Sequence, residues 1–483
     1  MQRPRVLLAI HLDSFFTGLI HVARLLKASG RFEPVFLFAQ RYPTVDRDIA
    51  VCHREGMVVL GEDPGAAAAE APRSSPLRAV TKRVLQKVSP ELPDRLYGRM
   101  QMSLPVQLRR LRARLHSLRK LLVDESISLV VLGGDIAHYD TAVYVRAAHD
   151  VGIRALIVAG WMIHQNENAE AFYFDSSLFT KRWPNRLMSF FAPRWSYRYK
   201  DREFVRLPAG AALARELMGI APPRPWTLHS GFADRIAVDS GATFDACIRE
   251  GLPREQVVIT GAIVHDVLFE NSQNATQRRE ELARRLGFPD PTLPMILCTL
   301  PPNELLRVGG RPECDFSSYE EIARFYFQSL AEIRGWNSVV SLHPSQKREI
   351  VEPLEQPQVK LATYPHFHTA ELVPLCDLFV TSGSSTIQWA TACGKPIINY
   401  DVYRYRQFDY DGIAGMRRTE EQSGFRELLM QTTNGGPLLG RMAEEQSQQR
   451  DQWGKLDGHA GDRMMALMDE LIALGRAPRT QHG

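Results

Sequence analysis

Residues 377–386 have the sequence Asp-Leu-Phe-Val-Thr-Ser-Gly-Ser-Ser-Thr, an apolar run that ends in small hydroxylated residues around one glycine. The run Leu378–Val380 predicts a buried strand, and the apolar spacing of residues 385–393 predicts a helix. Backbone amides and hydroxyls at such a strand-to-helix turn are favourable partners for phosphate oxygens. Serine and threonine also cap helices without any ligand, which is the alternative. The predicted phosphate-binding residues are Ser382, Gly383, Ser384, Ser385 and Thr386.

Outward from this turn, short apolar strands alternate with helical segments through the carboxyl-terminal half. Predicted strands cover residues 295–298, 339–342, 359–361 and 396–399, with a helix over 319–334 among them. This alternation predicts a doubly wound parallel sheet, whose ligands bind at the carboxyl ends of the strands. His343 and Pro344 follow one strand and are predicted nucleotide contacts, although a lone histidine is more often structural.

The amino-terminal half shows the same alternation, with strands predicted at residues 6–10, 34–38, 128–132 and 155–158. The sequence therefore predicts an α/β chain of two doubly wound, Rossmann-like domains. Asp135 follows the third of these strands, and we favour it as a catalytic base, with His138 and Asp13 as rivals. A helix-capping role for Asp135 is the alternative.

Composition indicates an ordinary globular protein. The 483 residues include 59 Lys and Arg against 55 Asp and Glu, and 44% are hydrophobic, which excludes disordered, collagen-like and coiled-coil chains. The six cysteines form no CxxC pair, so neither a disulfide framework nor a metal site is predicted. No apolar run reaches the roughly 18 residues of a membrane-spanning helix. We expect a cytoplasmic protein and leave a peripheral membrane contact open.

Basic residues are concentrated in one part of the chain. Between Arg73 and Lys120 there are thirteen basic and two acidic residues, and residues 104–122 have the spacing of a basic amphipathic helix. Residues 172–206 mix eleven aromatic residues with basic ones, as membrane-interface segments do. Ordinary packing is an equal alternative, and nucleic-acid binding is disfavoured because the net charge is only +4. The predicted membrane or acceptor surface comprises Arg109, Arg112, Trp183, Arg194 and Trp195.

Three stretches carry a resemblance to a known superfamily. Residues 233–238 and 251–261, together with Asp266, resemble the passage between the domains of GT-B glycosyltransferases and UDP-N-acetylglucosamine 2-epimerases. The run 377–385, continued by Gly394-Lys395-Pro396, is similar to the nucleotide-diphosphate loop of those proteins and of CDP-glycerol glycerophosphotransferases. His343-Pro344 together with Ser384-Ser385 resembles motifs of capsule-type transferases that use CMP-activated donors.

The resemblance implies GT-B architecture, two Rossmann-like domains with a cleft between them. It implies an acceptor-side domain over residues 1–265, with basic and aromatic helical insertions at about 73–122 and 172–206. A nucleotide-donor domain would cover 266–435, and a helical segment 436–483 would close the chain.

Departures from the epimerase pattern disfavour epimerisation, which needs placed acid and base groups. Val158 stands where an acid is expected, Gln388-Trp389 replaces paired glutamates, and the catalytic stretch has no counterpart at residues 298–304. Gln388 is instead a predicted ribose contact.

The sequence thus predicts a metal-independent glycosyltransferase without a cofactor. It would move a sugar from a nucleotide-activated donor to a surface polysaccharide or lipid-linked glycan, such as a capsule, with no nucleic-acid partner. The alternatives are a CDP-glycerol-type phosphotransferase, a UDP-sugar epimerase-like enzyme and a non-catalytic nucleotide-sugar-binding partner in an assembly complex. The oligomeric state stays open.

Overall fold

The computed structural model describes residues 3–62, 102–158, 165–173, 175–305, 313–343, 346–363, 366–406, 410 and 412–476. These residues form two compact units. The first is drawn from Met1–Val238, Phe244–Thr260 and Asp462–Gly483, and the second from Asp239–Thr243 and Gly261–Gly461. The domain boundaries expected from the sequence, at residues 265 and 435, stay a prediction.

The first unit is built on a parallel sheet of seven strands with a separate hairpin. Its strands are β1 (Arg5–Ile10), β2 (Glu33–Phe38), β3 (Val58–Glu62), β4 (Ile127–Leu132), β5 (Arg154–Val158), the hairpin strands β6 (Ser196–Tyr199) and β7 (Arg202–Val205), β8 (Arg235–Val238) and β9 (Val257–Ile259). The order in the sheet is β3-β2-β1-β4-β5-β8-β9. The central strands β1 and β4 are almost wholly buried, which explains their continuous apolar sequences.

Helices pack around this sheet. They are α1 (Asp13–Ser29), α2 (Val45–Arg54), α3 (Leu104–Asp124), α4 (Thr141–Asp150), α5 (Gln165–Phe172), α6 (Trp183–Phe191), α7 (Ala209–Leu217) and α8 (Gly241–Arg249). The leucine stripe of α3 (Leu111, Leu115, Leu118 and Leu122) is buried against the sheet, so the basic helix predicted from the sequence is present.

The second unit contains a parallel sheet of six strands. Its strands are β10 (Met295–Thr299), β11 (Asn337–Ser341), β12 (Val359–Ala362), β13 (Leu378–Thr381), β14 (Ile397–Tyr400) and β15 (Met416–Thr419). Its helices are α9 (Ile263–Ser272), α10 (Ala275–Arg285), α11 (Tyr319–Ala331), α12 (Arg348–Val351), α13 (Thr369–Leu372), α14 (Thr386–Ala392), α15 (Gln422–Thr433) and α16 (Pro437–Trp453). The final helix, α17 (Ala460–Arg476), belongs mainly to the first unit.

The strand order of the second sheet identifies its topological switch point. The order is β12-β11-β10-β13-β14-β15, so the chain proceeds outward from β10 in one direction and then crosses to β13 on the other side. Ligands of open α/β sheets bind outside the carboxyl ends of the strands at this position. There, the Thr299 hydroxyl at the end of β10 donates to the Thr381 hydroxyl at the end of β13 (2.7 Å).

The predicted fold class is confirmed, because two parallel sheets flanked by helices form two Rossmann-like units. Among the described residues, no helix combines the length and the apolar character needed to cross a bilayer.

Candidate functional site

The predicted phosphate loop lies at the switch point of the second sheet. The loop leaves β13 at Thr381 and enters α14 at Thr386. Gly383 has a φ of 53°, in the left-handed region that favours glycine. Its amide donates to Asn399 Oδ1 (2.9 Å), while the Val402 amide donates to Ser382 Oγ (3.3 Å). Both contacts tie the loop to the carboxyl end of β14, so its shape is fixed before any ligand binds.

The centre of the loop presents hydrogen-bond donors. Thr386 donates from its amide and its hydroxyl to Ser384 Oγ (3.3 and 2.8 Å). The backbone amides of Ser384 and Ser385 find no acceptor within the described part of the chain. Ser385 is exposed and Ser384 is half-buried. Two adjacent amides are therefore available to an anionic ligand on a braced turn.

The other predicted nucleotide contacts lie at different distances from this loop. His343 is exposed, two residues beyond the end of β11. Since β10 separates β11 from β13, two strand spacings, about 10 Å, divide the strands that carry the two motifs. Gln388 lies in the first turn of α14 with only 8% of its surface exposed. Pro344 lies outside the described residues.

Asp135, the favoured base, is surrounded by structural contacts. Its side chain is 0% exposed and accepts hydrogen bonds from the Ser230 hydroxyl, the Thr141 hydroxyl (3.1 Å) and the Phe232 amide (3.2 Å). Burial raises the pKa of Asp135, although these donors oppose the change. The carboxyl group thus links the loop after β4 to the start of α4 and to residues 230–232. The carboxylate caps neither the helical turn at Ala137–Tyr139 nor α4, so the helix-capping alternative is wrong. The catalytic role of Asp135 stays a prediction.

The two rival bases are more accessible. His138 is exposed, and its ring lies beside those of Tyr139 (centroids 5.4 Å apart) and Phe172 (6.4 Å). Burial of part of the ring and the positive charge of Arg206 lower the pKa of His138, which favours the neutral, proton-accepting ring. Asp13 begins α1, is exposed, and accepts from the Ser14 amide (2.7 Å). Both follow adjacent strands, β4 and β1, at the switch point of the first sheet.

A buried charge cluster beside His138 was not predicted from the sequence. Asp140 is 5% exposed and accepts from Arg110, from Arg215 and from Arg114 (3.4 Å). Burial alone would raise the pKa of Asp140, but the three guanidinium groups outweigh it and hold the pKa below the usual value. Its partners come from α3 and α7, far away in the chain, so no local pattern could have indicated the cluster.

The residues of the predicted membrane or acceptor surface are not all exposed. Arg109, Arg112 and Trp183 are exposed, and Trp183 is 76% exposed. Arg194 is exposed but forms an ion pair with Glu216. The assignment of Trp195 is wrong: its ring is 0% exposed, and its indole nitrogen donates to Glu216 Oε1 (2.6 Å). A tryptophan in an aromatic and basic stretch can pack in the core when its indole nitrogen finds a hydrogen-bond partner.

Within the described residues, no group of three or more His, Cys, Asp or Glu side chains could hold a metal ion. The prediction of a metal-independent reaction stays a prediction.

Comparison with solved structures identifies the fold. The chain is similar to the calicheamicin glycosyltransferase (TM-score 0.53, 14% identity, covering 99% of this chain and 100% of that one). It is also similar to a UDP-GlcNAc 2-epimerase from Neisseria meningitidis, solved bound to UDP-GlcNAc (TM-score 0.50, 13% identity, 96% and 100% covered). A third similar structure is a wall teichoic acid polymerase (TM-score 0.50, 10% identity, 98% and 90% covered).

At 10–14% identity these similarities establish the fold alone, and it is the fold that the resemblance in the sequence implied. No protein-family model matches the chain, and no curated protein matches it by sequence.

Proposed function

We propose that this protein is a glycosyltransferase that takes a sugar from a nucleotide-activated donor and transfers it to a surface polysaccharide or lipid-linked glycan. The observation that carries the proposal is the braced loop 382–386 at the switch point of the second sheet, with the Ser384 and Ser385 amides open to a ligand. Structures of similar fold include a glycosyltransferase and an epimerase bound to UDP-GlcNAc, which supports a nucleotide-sugar ligand.

In the proposed reaction, an acceptor hydroxyl attacks the sugar carbon that carries the phosphate. The bond between that carbon and the phosphate oxygen breaks, a new glycosidic bond forms, and a base takes the hydroxyl proton. Negative charge therefore grows on the departing phosphate. Preorganised amides stabilise such charge without having to reorient, which is the role we assign to Ser384 and Ser385. His343 would add a further donor from the neighbouring part of the sheet edge.

We assign acceptor activation to the first unit. His138 is the strongest candidate for the base because it is exposed and its pKa is lowered, so the ring is neutral near pH 7. Asp13 is the second candidate. Asp135 would fix the loop after β4, which carries His138, through its contacts with Thr141 and Ser230.

Incubation of the purified protein with CMP-, UDP-, GDP- and dTDP-activated sugars and, separately, with CDP-glycerol, each with and without a lipid-linked acceptor, tests the proposal by product mass. We expect release of the nucleotide together with a gain of one sugar by the acceptor. A gain of glycerol phosphate from CDP-glycerol would favour the phosphotransferase. Conversion of a UDP-sugar without acceptor would favour the epimerase. Nucleotide binding without any turnover would favour a binding partner.

A further inference from the structure

Helix α6 exposes an unusually apolar face. Trp183 is 76% exposed, Leu187 51%, Phe190 79% and Phe191 72%. They occupy positions i, i+4, i+7 and i+8 of the helix, and this spacing places them on one face. Four large apolar side chains on one short helix form a patch, whereas scattered exposed apolar residues would need no explanation.

The opposite face of α6 is anchored in the first unit. Met188 is 5% exposed and packs in a small core with Trp195. Asn185 is buried, donates to the carbonyl oxygens of Ser177 (2.9 Å) and Phe179 (3.2 Å), and accepts from the Ala209 amide (3.3 Å). The helix is therefore held in place, and the exposure of its apolar face is a property of the folded unit.

Positive charge surrounds the apolar face. Lys181, Arg182 and Arg186 are exposed, and within the described part of the chain none of them has a carboxylate at ion-pair distance. Nearby Arg194 and Lys200, by contrast, are paired with Glu216 and Glu170. The apolar face is thus accompanied by three cations that have no carboxylate at ion-pair distance among the described residues, although Lys181 also acts on Asp201 at longer range.

We propose that α6 docks the protein on an anionic lipid bilayer. The four apolar side chains would enter the boundary between acyl chains and headgroups, and Lys181, Arg182 and Arg186 would contact lipid phosphates. A second copy of this chain fits less well, because a two-fold interface would bring two sets of these unpaired cations together. The inference rests on the exposed side chains of α6 alone and does not depend on the proposed sugar transfer.

Co-sedimentation with vesicles tests this inference. The full chain is mixed with vesicles of phosphatidylcholine alone, or of phosphatidylcholine and phosphatidylglycerol in equal parts. We expect strong binding to the anionic vesicles that weakens as salt is added, because salt screens the attraction. Replacing Phe190 and Phe191 together by serine should weaken binding at least ~10-fold. Arg186→Gln should weaken binding about fivefold, as one basic residue near an anionic surface contributes about 1 kcal/mol.

The matched control is Met430→Ser, which removes an apolar side chain 53% exposed on α15 of the second unit. This variant should bind like the wild type, and all variants should keep the wild-type melting temperature because the changed residues are exposed. Failure of the wild type to bind anionic vesicles would overturn the inference. So would unchanged binding by the double variant, or light scattering that shows a dimer which the double variant abolishes.

Discussion

Asp140 shows how one residue organises the part of the first unit that surrounds His138. Its carboxyl group is almost completely buried and is shared by Arg110, Arg114 and Arg215. Its backbone is left-handed (φ 59°), a conformation that asparagine and aspartate tolerate better than most residues. Removing one partner of a buried ion cluster is costly because the remaining charges lose their compensation.

We predict that Asp140→Asn lowers the free energy of unfolding by about 3–5 kcal/mol, since asparagine keeps the backbone but leaves three guanidinium groups without an anion. Denaturant titration measures this difference. The control is Asp124→Asn, which removes a carboxylate from an exposed pair with Lys120 and should change nothing measurable. Equal effects of the two substitutions would contradict the account.

The same cluster should make the stability of the fold depend on pH. Because the folded pKa of Asp140 lies below the ordinary aspartate value of 3.8, the stabilisation is fully present above that value. It should be lost as the pH falls through the lower, folded pKa. In Asp140→Asn this contribution to acid unfolding should be absent.

His138 gives a prediction about turnover. Because its pKa is lowered, more than half of the His138 rings are neutral at pH 6.5, where an ordinary histidine is half protonated. We expect the acid limb of the kcat/KM profile to lie below pH 6.5, and His138→Gln to lower kcat by about 10²–10⁴-fold while nucleotide affinity is retained.

Asp135→Asn is the matched comparison for His138→Gln. Its main effect should be a lower melting temperature, because a fully buried carboxyl group with three donors loses one acceptor. Full activity of His138→Gln would remove this residue as the base. A normal melting temperature combined with lost turnover in Asp135→Asn would restore Asp135.

At single positions, the sequence predicted local structure better than burial. Chemical type and position after a strand indicated the loop 382–386 correctly as a strand-to-helix turn. They could not indicate whether Asp135 or Trp195 is buried, since burial depends on partners such as Ser230 and Glu216 from distant segments.

Among the secondary-structure elements, the turn after β4 depends most on close packing. A Cβ atom on Gly133 would lie 2.6 Å from the ring of Phe15 on α1, and one on Gly134 would lie 2.9 Å from it. Phe15 itself is 2% exposed and packs with Ile136 and Leu228. The two glycines therefore allow α1 to approach the end of β4.

We predict that Gly133→Ala destabilises the protein by about 1–3 kcal/mol, because a buried ring and its neighbours must shift to admit the methyl group. Gly18→Ala on the same helix α1 is the control. Its new methyl group meets no atom within 4 Å, and alanine favours a helix over glycine by about 1 kcal/mol. Thermal unfolding should move in opposite directions for the two variants, and a shift in the same direction would contradict the packing argument.

Buried parallel strands were predicted better than other elements. The apolar runs of β1, β2, β4 and β13 are continuous because both faces of these strands are covered. The hairpin β6–β7 and the edge strand β15, Met-Arg-Arg-Thr, were missed because charged and polar residues leave none of these short strands a continuous apolar run. The closing helical segment is two helices, α16 and α17, separated at Gly454–His459.

For the molecule as a whole, strand order places the candidate nucleotide site. In each sheet the chain begins at a central strand, β1 or β10, and adds the next two strands on one side of it. The chain then crosses to the other side of the central strand, where it forms β4 or β13. Apolar runs alone carry no information about which strands are neighbours, so neither switch point could be predicted from the sequence. In the first sheet Phe15 packs against the glycines beyond β4, whereas in the second sheet the loop after β13 presents two amides that find no acceptor among the described residues.

The central claim, that this loop binds the phosphates of a nucleotide, is tested most directly by calorimetric titration of CMP, UDP, GDP and dTDP into three proteins. These are the wild type, Ser385→Asp, and Ser423→Asp, which adds the same charge at an exposed serine on α15. We predict that at least one nucleotide binds the wild type and Ser423→Asp alike. Ser385→Asp should weaken that binding at least ~10-fold, because the added carboxylate repels phosphate. If the nucleotide that binds the wild type bound all three proteins with equal affinity, the account would be contradicted.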